Sequence, residues 1–522
     1  MPAEPAPRMT RIHRPTALLI MLAVAATSYA VFIGRGAFRV DGQLFFTLID
    51  DAMISMRYAQ HLAAGSGLVW NVGEAPIQGF TNLGWVLLMA VLHELPFTPA
   101  TVSLGVMIAS ATILLANALV VARICEALSP EAVYAPLMAA GITAFYFPLV
   151  FWSLRGMEVG LLVLLVDLAV LLALRVRRDR FETALILGLI LAAALIVRMD
   201  AAPQVAIISI YAASTRRISG AQRIALLLIA VLTLAGLLAF QQSYFGDPLP
   251  NTYYQKVVGA SVGERVQNGI LVFNEYAARD ALMIVLLSFG GMWFYRGMRS
   301  REVVLLAGLF VIQCLYSIWI GGDYAEPEVA AANRFITQGM PALIIVFALV
   351  VDRMLLDVLA ANQRTFSTAL LSSIVALATL LVISGTPWLA WGIDNAPLLK
   401  ADVRRVKAGL AIAANTSPAA TIAVHAAGQI PYYSGRRTID LLGLNDPVIA
   451  KGPRSTGFYP GHDKWNYDYS IAQLRPDLIA DNWLRLGDYM KGRSEYRQLA
   501  NGMYIRVDSA LVAEQGLLKA YP

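Results

Sequence analysis

Two adjacent carboxylates open a predicted short helix in the stretch Thr47-Leu-Ile-Asp50-Asp51-Ala-Met-Ile-Ser-Met-Arg57-Tyr58-Ala-Gln60. The positive end of a helix dipole favours negative charge in the first turn. Asp50 and Arg57 are seven residues apart and therefore share one helical face. Like charges side by side separate their pKa values, and the more basic carboxylate suits a general base. The alternative is a pair of capping residues on a helix at a membrane surface.

The composition on either side of this stretch is that of a polytopic α-helical membrane protein. Of the 522 residues, 58% are hydrophobic and only 15% are charged, whereas a soluble protein has about 25% charged residues. Lys plus Arg exceed Asp plus Glu by 41 to 35. The arginines cluster in short loops between apolar segments, which is the positive-inside pattern of membrane proteins. We find no nucleic-acid motif, and the two cysteines have neither disulfide-framework nor metal-ligand spacing.

Apolar segments predict about 11 transmembrane helices, since a helix needs roughly 20 apolar residues to cross a bilayer, or fewer when it lines a cavity. A further apolar run at 82–95 is short, and we interpret it as an interfacial helix that does not cross. The predicted spans are 15–34, 101–122, 133–152, 157–174, 183–197, 201–213, 224–241, 280–295, 303–320, 336–352 and 367–387.

The basic loops also predict orientation. Arginine-rich loops at 175–180, 216–223, 296–301 and 353–364 indicate cytoplasmic ends, as do the arginines before the first span. The first outer loop, 35–100, then faces the outside. We expect a transmembrane domain at 1–387 and a periplasmic mixed α/β domain at 388–522. Within the latter, patterns predict a helix at 402–414 and strands near 421–425, 437–441, 477–480 and 502–507.

The outward segments collect most of the unusual polar residues. Charges close to a membrane are costly and usually line a cavity or a site. For several of these residues a purely structural role is the alternative to substrate binding. Glu158 is placed to cap the following helix, and Arg198 and Asp200 are placed to neutralise each other. The candidate binding residues are Arg57, Asn71, Gln78, Asn82, Glu158, Arg198, Asp200, Asn251, Tyr254, Lys256, Asp323, Arg334, His462 and Lys464.

A series of short motifs along the chain resembles the GT-C class of membrane glycosyltransferases. The most similar members are the mycobacterial-type terminal arabinofuranosyltransferases and their proteobacterial relatives, in which similar motifs follow in the same order. The similarity covers most of the chain. The motifs are Asp50-Asp51-Ala-x-Ile-Ser-x-Arg57-Tyr58-Ala, Gly79-Phe-Thr81-Asn82, Gly156-Met-Glu158, Arg198-Met-Asp200, Gly246-Asp247-x-Leu-Pro250-Asn251-Thr252-Tyr253-Tyr254-x-Lys256, Gly322-Asp323, Asp440-Leu-Leu-Gly443-Leu-Asn445-Asp446 and Gly461-His462-x-Lys464.

The resemblance implies an inverting sugar transfer from a polyprenyl-phosphate donor, with a first-loop aspartate as the base. We expect Asp51 to be the base and Asp50 its orienting partner, and we expect Arg198, Lys256 and Arg334 to surround the donor phosphate. D-arabinofuranose is the sugar that the resemblance implies. The acceptor would be an envelope glycan or glycoprotein outside a bacterial inner membrane, where the chain also contacts membrane lipids.

Other interpretations remain open. No metal-ligand spacing is present, although Asp50 and Asp51 would suit a divalent cation bound with a phosphate. Intramembrane charges and bent spans also fit a lipid or glycan transporter or flippase, and the tail alone fits a non-catalytic envelope assembly protein. Aromatic residues of the tail predict sugar stacking, with ordinary core packing as the alternative: Tyr432, Tyr433, Tyr459, His462, Trp465, Tyr467 and Tyr469.

Overall fold

Long apolar helices form most of the protein, for which a computed structural model describes residues 14–323, 333–364, 366–393 and 399–522. Predicted basic residues before position 14 lie outside the described residues. The helices of the first part are α1 Arg14–Arg35, α2 Asp50–Ala63, α3 Leu83–His93, α4 Val102–Leu128, α5 Ala135–Phe145, α6 Phe147–Leu154, α7 Val159–Arg175, α8 Phe181–Val197, α9 Ala202–Ser214, α10 Gly220–Phe245, α11 Asn251–Val257, α12 Val262–Tyr276, α13 Leu282–Phe294, α14 Arg301–Ile320, α15 Arg334–Thr337, α16 Met340–Ala361 and α17 Thr368–Ile393.

Every apolar segment predicted to cross the membrane is helical, which confirms the polytopic helical fold. By length and composition alone, five helices can cross, or six if the bent pair α5 and α6 forms one span. The other predicted spans are shorter, such as α9 with 13 residues, or carry more charge, as α16 does at Asp352 and Arg353. Helix α10 exposes Leu227, Val231 and other large apolar side chains, as expected for a surface that contacts lipid.

The bend between α5 and α6 positions the first outer loop. The two helices meet at 48°, and Pro148 lies in the first turn of α6, where its missing N–H and its ring prevent continuation from α5. The end of α6 then reaches the loop, because the carbonyl of Arg155 accepts a 3.0 Å hydrogen bond from the N–H of Ile49. The start of α2 is thereby fixed to the helix bundle.

The first outer loop contains a small hairpin and two helices. Strands β1 Phe38–Val40 and β2 Gln43–Phe45 pair antiparallel around Asp41 and Gly42, which both have positive φ, as a tight hairpin turn requires. Helix α3 has 11 residues and spans roughly 16 Å, about half of the hydrocarbon thickness. This length agrees with the interfacial helix predicted at 82–95.

The C-terminal part is the predicted α/β domain. Its sheet has the order β4-β3-β5-β7-β6, with β3 parallel to β4 and β5 and the other pairs antiparallel. The predicted strands are confirmed, and β6 adds one that the sequence analysis did not predict. The elements are α18 Leu399–Asn415, β3 Thr421–Val424, α19 Gln429–Ser434, β4 Arg437–Asp440, α20 Pro447–Ala450, β5 Leu478–Ile479, α21 Leu486–Met490, β6 Tyr496–Gln498, β7 Tyr504–Arg506 and α22 Glu514–Ala520.

A buried ion pair joins this domain to the helix bundle. Arg155 Nη2 lies 2.5 Å from Asp402 Oδ2, and both side chains are at most 2% exposed. Gln429 donates to the other oxygen of Asp402 and to the carbonyl of Leu48. Helix α17 continues to Ile393, so the domain starts after the predicted boundary at 387. The ion pair and Gln429 fix the domain against the start of the first outer loop.

Candidate active site

A cavity of about 310 Å³ lies where the first outer loop, the α8–α9 connection and α11 meet residues 460–462. These segments are far apart in the chain, and each contributes polar side chains at one face of the helix bundle. Seven of the predicted site residues line it, namely Asp51, Asn82, Arg198, Asp200, Lys256, Arg334 and His462.

Asp51 lies beside a buried arginine. Arg334 Nη1 donates to Asp51 Oδ2 at 3.2 Å, and Arg334 Nε lies 3.0 Å from Asp323 Oδ2. The side chain of Asp51 is 27% exposed, whereas that of Asp323 is fully buried. Although burial opposes its charge, these two carboxylates raise the pKa of Arg334. Arg334 therefore stays protonated and holds Asp51 at the cavity wall.

Arg198 is held by carboxylates on two sides. It forms a forked pair with Asp200, at 2.7 Å from Nε and 2.5 Å from Nη2, and its Nη1 donates to Glu158. Asn82 donates to the second oxygen of Glu158 at 2.7 Å and accepts from Ser55 at 2.9 Å. The predicted ion pair between Arg198 and Asp200 is thus confirmed. It belongs to a larger network that ties α2 and α3 to the α8–α9 hairpin.

Lys256 differs from the two arginines. Among the described residues, its Nζ has no hydrogen bond or ion pair. It lies 5.9 Å from the centre of the Phe335 ring. Burial and the nearby charge of Arg334 lower the pKa of Lys256 to about 8, although Asp323 and Asp51 oppose the shift. A buried, poorly compensated ammonium gains most from an anion placed beside it. Lys256 is therefore the strongest candidate for binding an anion in this cavity.

Phe335 brings the three predicted cations together, although the sequence analysis did not name it. Arg198, Lys256 and Arg334 lie 5.7–5.9 Å from its ring centre. A ring face attracts cations at such distances. A second residue missed by sequence is Tyr316, whose hydroxyl donates to Asp200 at 3.0 Å. Both positions lie in apolar stretches, where the sequence does not distinguish an aromatic residue that lines a cavity from one that packs in the core.

Asp50 binds the C-terminal domain and does not face Arg57. Its carboxylate accepts the N–H groups of Gly428 and Gln429 at 3.1 and 2.9 Å. Burial raises the pKa of Asp50, and Arg405 and these hydrogen bonds oppose the rise. The capping alternative is not seen either, because the N-cap residue of α2 is Ile49. Asp50 thus fixes the start of α2, on which Asp51 is the next residue.

Arg57 and Asn71 are buried in the same interface, away from the cavity lining. Arg57 donates to the carbonyls of Trp70, Pro431 and Arg436 and to Asn71 Oδ1. Asn71 donates to the carbonyl of Thr438 at 3.0 Å. The predicted substrate contact is not supported by this placement. The sequence could not separate the two roles, since backbone carbonyl partners leave no pattern in it.

Six other predicted residues support the site from outside the cavity lining. Glu158 and Asp323 bind the arginines described above. The N–H of Asn251 donates to the carbonyl of Gln78 at 3.0 Å, and Lys464, which is fully buried, donates to the carbonyl of Tyr254 at 3.0 Å. For Lys464, Gln78, Asn251 and Tyr254 the structure places segment-joining contacts where the sequence analysis predicted substrate contacts.

For three of the seven residues in the aromatic prediction, the alternative of ordinary core packing holds. Tyr432, Tyr433 and Tyr467 are at most 7% exposed and belong to the hydrophobic cores. His462 does line the cavity, and burial lowers its pKa while Asp51 opposes this. Trp483, which the sequence analysis did not name, is 44% exposed and lies 5.3 Å from the His462 ring.

The donor set does not favour a divalent cation. Within the described ranges, no three His, Cys, Asp or Glu side chains are grouped so as to hold a metal ion. Asp50 accepts backbone N–H groups, and both Asp51 and Asp323 pair with Arg334. The positive charge beside these carboxylates is supplied by Arg334 itself.

Comparison with known proteins identifies the fold. Residues 397–512 match a family described as a domain of unknown function (DUF8728). A search of curated proteins found no significant match. The solved structure of ArnT from Cupriavidus metallidurans bound to undecaprenyl phosphate has a TM-score of 0.52 at 14% identity, covering 81% of this chain and 85% of that one.

An archaeal structure gives the same result. The oligosaccharyltransferase AglB from Archaeoglobus fulgidus, in complex with an inhibitory peptide and a dolichol-phosphate, has a TM-score of 0.52 at 12% identity. The alignment covers 82% of this chain and 65% of that one. The helix arrangement and the C-terminal sheet domain together therefore show a polytopic membrane protein with the GT-C fold.

Proposed function

We propose that this protein is an inverting glycosyltransferase that moves a sugar from a polyprenyl-phosphate donor to an envelope glycan or glycoprotein. The observation that carries the proposal is the position of Asp51 beside Arg334 in a cavity that also contains Lys256. A leaving phosphate needs cations, and an attacking hydroxyl needs a base. The similar fold of a structure bound to undecaprenyl phosphate supports a lipid phosphate as the leaving group.

The proposed reaction is a single displacement. The acceptor hydroxyl attacks the anomeric carbon, and the bond from that carbon to the phosphate oxygen breaks on the opposite face, so the configuration inverts. The hydroxyl proton passes to Asp51, and the electron pair leaves with the polyprenyl phosphate. Lys256 and Arg334 stabilise the charge that develops on the phosphate. Arg198 acts mainly as a scaffold, because Asp200 and Glu158 already hold its guanidinium.

The finer parts of the proposal rest on the sequence. D-arabinofuranose as the sugar follows from the family resemblance. The arginine-rich loops favour a cytoplasmic N-terminus and a cavity at the outer face of the membrane, and the family resemblance implies that this membrane is a bacterial inner membrane. Nucleotide sugars are scarce outside the cytoplasm, which fits a donor that stays in the bilayer.

The test offers the purified full-length protein a panel of polyprenyl-phosphate sugars, including the arabinofuranosyl donor, with product identification by mass spectrometry. We expect transfer from one donor class and none by the Asp51→Asn variant. Binding of undecaprenyl phosphate with no transfer from any donor would favour the lipid transporter or flippase instead.

A further inference from the structure

The cavity that contains Asp51 opens into a longer groove. A second cavity of about 500 Å³ shares Asp51, Ile54, Leu444 and His462 with the first. It continues into an open cavity of about 680 Å³ on the C-terminal domain, with Asn482 and Trp483 common to both. The groove therefore runs from Asp51 past Trp483 to the outer surface.

Trp483 is presented to this groove by its surroundings. The next two residues, Leu484 and Arg485, have φ of 49° and 63°, a left-handed conformation that side chains other than glycine rarely adopt. The Tyr467 hydroxyl donates to the carbonyls of Trp483 and Leu484 at 3.3 and 2.9 Å. The backbone is thus held in a strained turn that leaves the indole 44% exposed. A large flat aromatic face with polar neighbours is suited to stack on a sugar ring.

The polar lining around the indole supplies both donors and acceptors. Asn482 contributes an amide group, which can serve as both. Asp481 is fixed in place, because it accepts from the N–H groups of His425 and Ala426 and from His425 Nδ1 at 2.7 Å. Mixed donors and acceptors of this kind match sugar hydroxyls, each of which donates and accepts.

The charge of the groove is balanced. In the inner part, Asp50, Asp51 and Asp481 face Arg404 and Arg405. In the outer part, the charged side chains are Arg485, Asp488 and Lys491, and Asp488 lies 2.7 Å from Lys491 and 3.8 Å from Arg485. A groove with little net charge gives no advantage to a polyanion. It favours a neutral ligand.

We infer that this groove binds the acceptor, and that the acceptor is a neutral oligosaccharide longer than one sugar unit. The terminal sugar would place its hydroxyl at Asp51, and the following units would lie across Trp483 toward the surface. The inference rests on the proposed function, because only a glycosyltransferase needs an acceptor hydroxyl beside Asp51. Apart from the four residues that it shares with the donor cavity, the groove is lined by residues outside that cavity.

The experiment measures binding to the full-length protein in detergent, without any transfer step. The probes are neutral arabinofuranosyl, galactofuranosyl, mannosyl and glucosyl oligosaccharides of one, two, four and six units, and undecaprenyl phosphate as a separate ligand. We expect affinity for one series to rise at least tenfold from one to four units. Trp483→Ala should remove this rise, Trp483→Phe should keep most of it, and undecaprenyl phosphate binding should not change.

Val507→Ala serves as the control, since Val507 is 63% exposed on the same domain and lies outside the groove lining. Equal oligosaccharide affinity in Trp483→Ala and the unchanged protein would overturn the inference. So would failure of every series to bind, or binding of a peptide or an anionic glycan in its place. Length-dependent binding here, together with no sugar transfer in the test of the donor panel, would count against the proposed function alone.

Discussion

Asp50 accepts a 2.9 Å hydrogen bond from the backbone N–H of Gln429, which lies 379 positions later in the chain. The neighbouring Asp51 pairs instead with Arg334 in the cavity. Two adjacent carboxylates thus have separate roles. One anchors the C-terminal domain to the start of α2, and the other faces the place where donor and acceptor would meet.

Asp51→Asn should abolish transfer while donor binding persists. The amide keeps the shape of the side chain but cannot take the hydroxyl proton, so turnover should fall by about 10²-fold or more. Turnover is measured by mass spectrometry and donor affinity by calorimetry with undecaprenyl phosphate. Asp50→Asn is the matched control and should lower turnover less while lowering the melting temperature. Normal turnover in Asp51→Asn together with an inactive Asp50→Asn would reverse the two roles.

Undecaprenyl phosphate binding should weaken as pH rises through about 8. Protonated Lys256 attracts the phosphate, and its pKa of about 8 means that the charge is present below this pH and lost above it. The affinity should fall by at most about tenfold per pH unit above that value. Titration calorimetry between pH 7 and 9.5 measures the profile.

Two Lys256 variants make this profile diagnostic. Lys256→Arg keeps its charge throughout the range, so its affinity should vary little with pH. Lys256→Met should bind about tenfold to a hundredfold more weakly at pH 7, the value of one charge-assisted hydrogen bond. A falling profile that persists in Lys256→Met would assign the titration to another group.

Gly428→Ala should separate the C-terminal domain from α2. A Cβ at this position would lie 1.8 Å from the carbonyl oxygen of Asp50, a distance that requires the backbone to move. The contact of Asp50 with the two N–H groups would then be lost, so transfer should decrease and limited proteolysis between the two parts should become faster. Gly457→Ala is the control, because a Cβ there meets no atom within 4 Å. Equal activity of both variants would show that this contact does not matter.

Arg155→Met should destabilise the protein strongly. It leaves Asp402 as a buried charge without its arginine, which typically costs about 3–5 kcal/mol. The double variant Arg155→Met with Asp402→Leu removes both charges and should recover much of the loss. Thermal unfolding in detergent compares the three proteins. A double variant no more stable than the single one would mean that the pair is required as such.

Alkaline phosphatase fused after Pro522 should be active in intact bacterial cells. The arginine-rich loops predict a periplasmic C-terminal domain, and this reporter folds only in an oxidising compartment. Fusion within the basic loop at 175–180 should be inactive and serves as the control. The opposite pair of activities would reverse the orientation.

The sequence predicted the fold well because membrane helices have a direct pattern. Long apolar runs predicted the helices expected to cross the membrane, although α11 and α12 were not predicted. Polar side chains on one predicted side included Asp51, Lys256 and Arg334, which the structure brings into one cavity. The prediction worked because charged side chains beside the bilayer are energetically unfavourable, so those that occur there usually line a cavity or a site.

The sequence could not show which of these residues bind one another. Arg198 was expected to meet a phosphate, but Glu158 and Asp200 already hold it. Arg57 was expected at the substrate, but two of its four hydrogen-bond partners are backbone carbonyls of the C-terminal domain. Trp483 was not distinguished from the buried tyrosines, because exposure depends on a strained turn that composition does not reveal.

The hydrogen bond between Asp50 and Gln429 joins two residues that are synthesised at very different times. A ribosome adds roughly 5–20 residues per second, so about 20–75 s separate the two residues of this contact on the nascent chain. The first outer loop is therefore synthesised long before its partner exists. The helices can insert and bind lipid in that interval, but α2 acquires its final anchor only near the end of translation, so the candidate active site is assembled last.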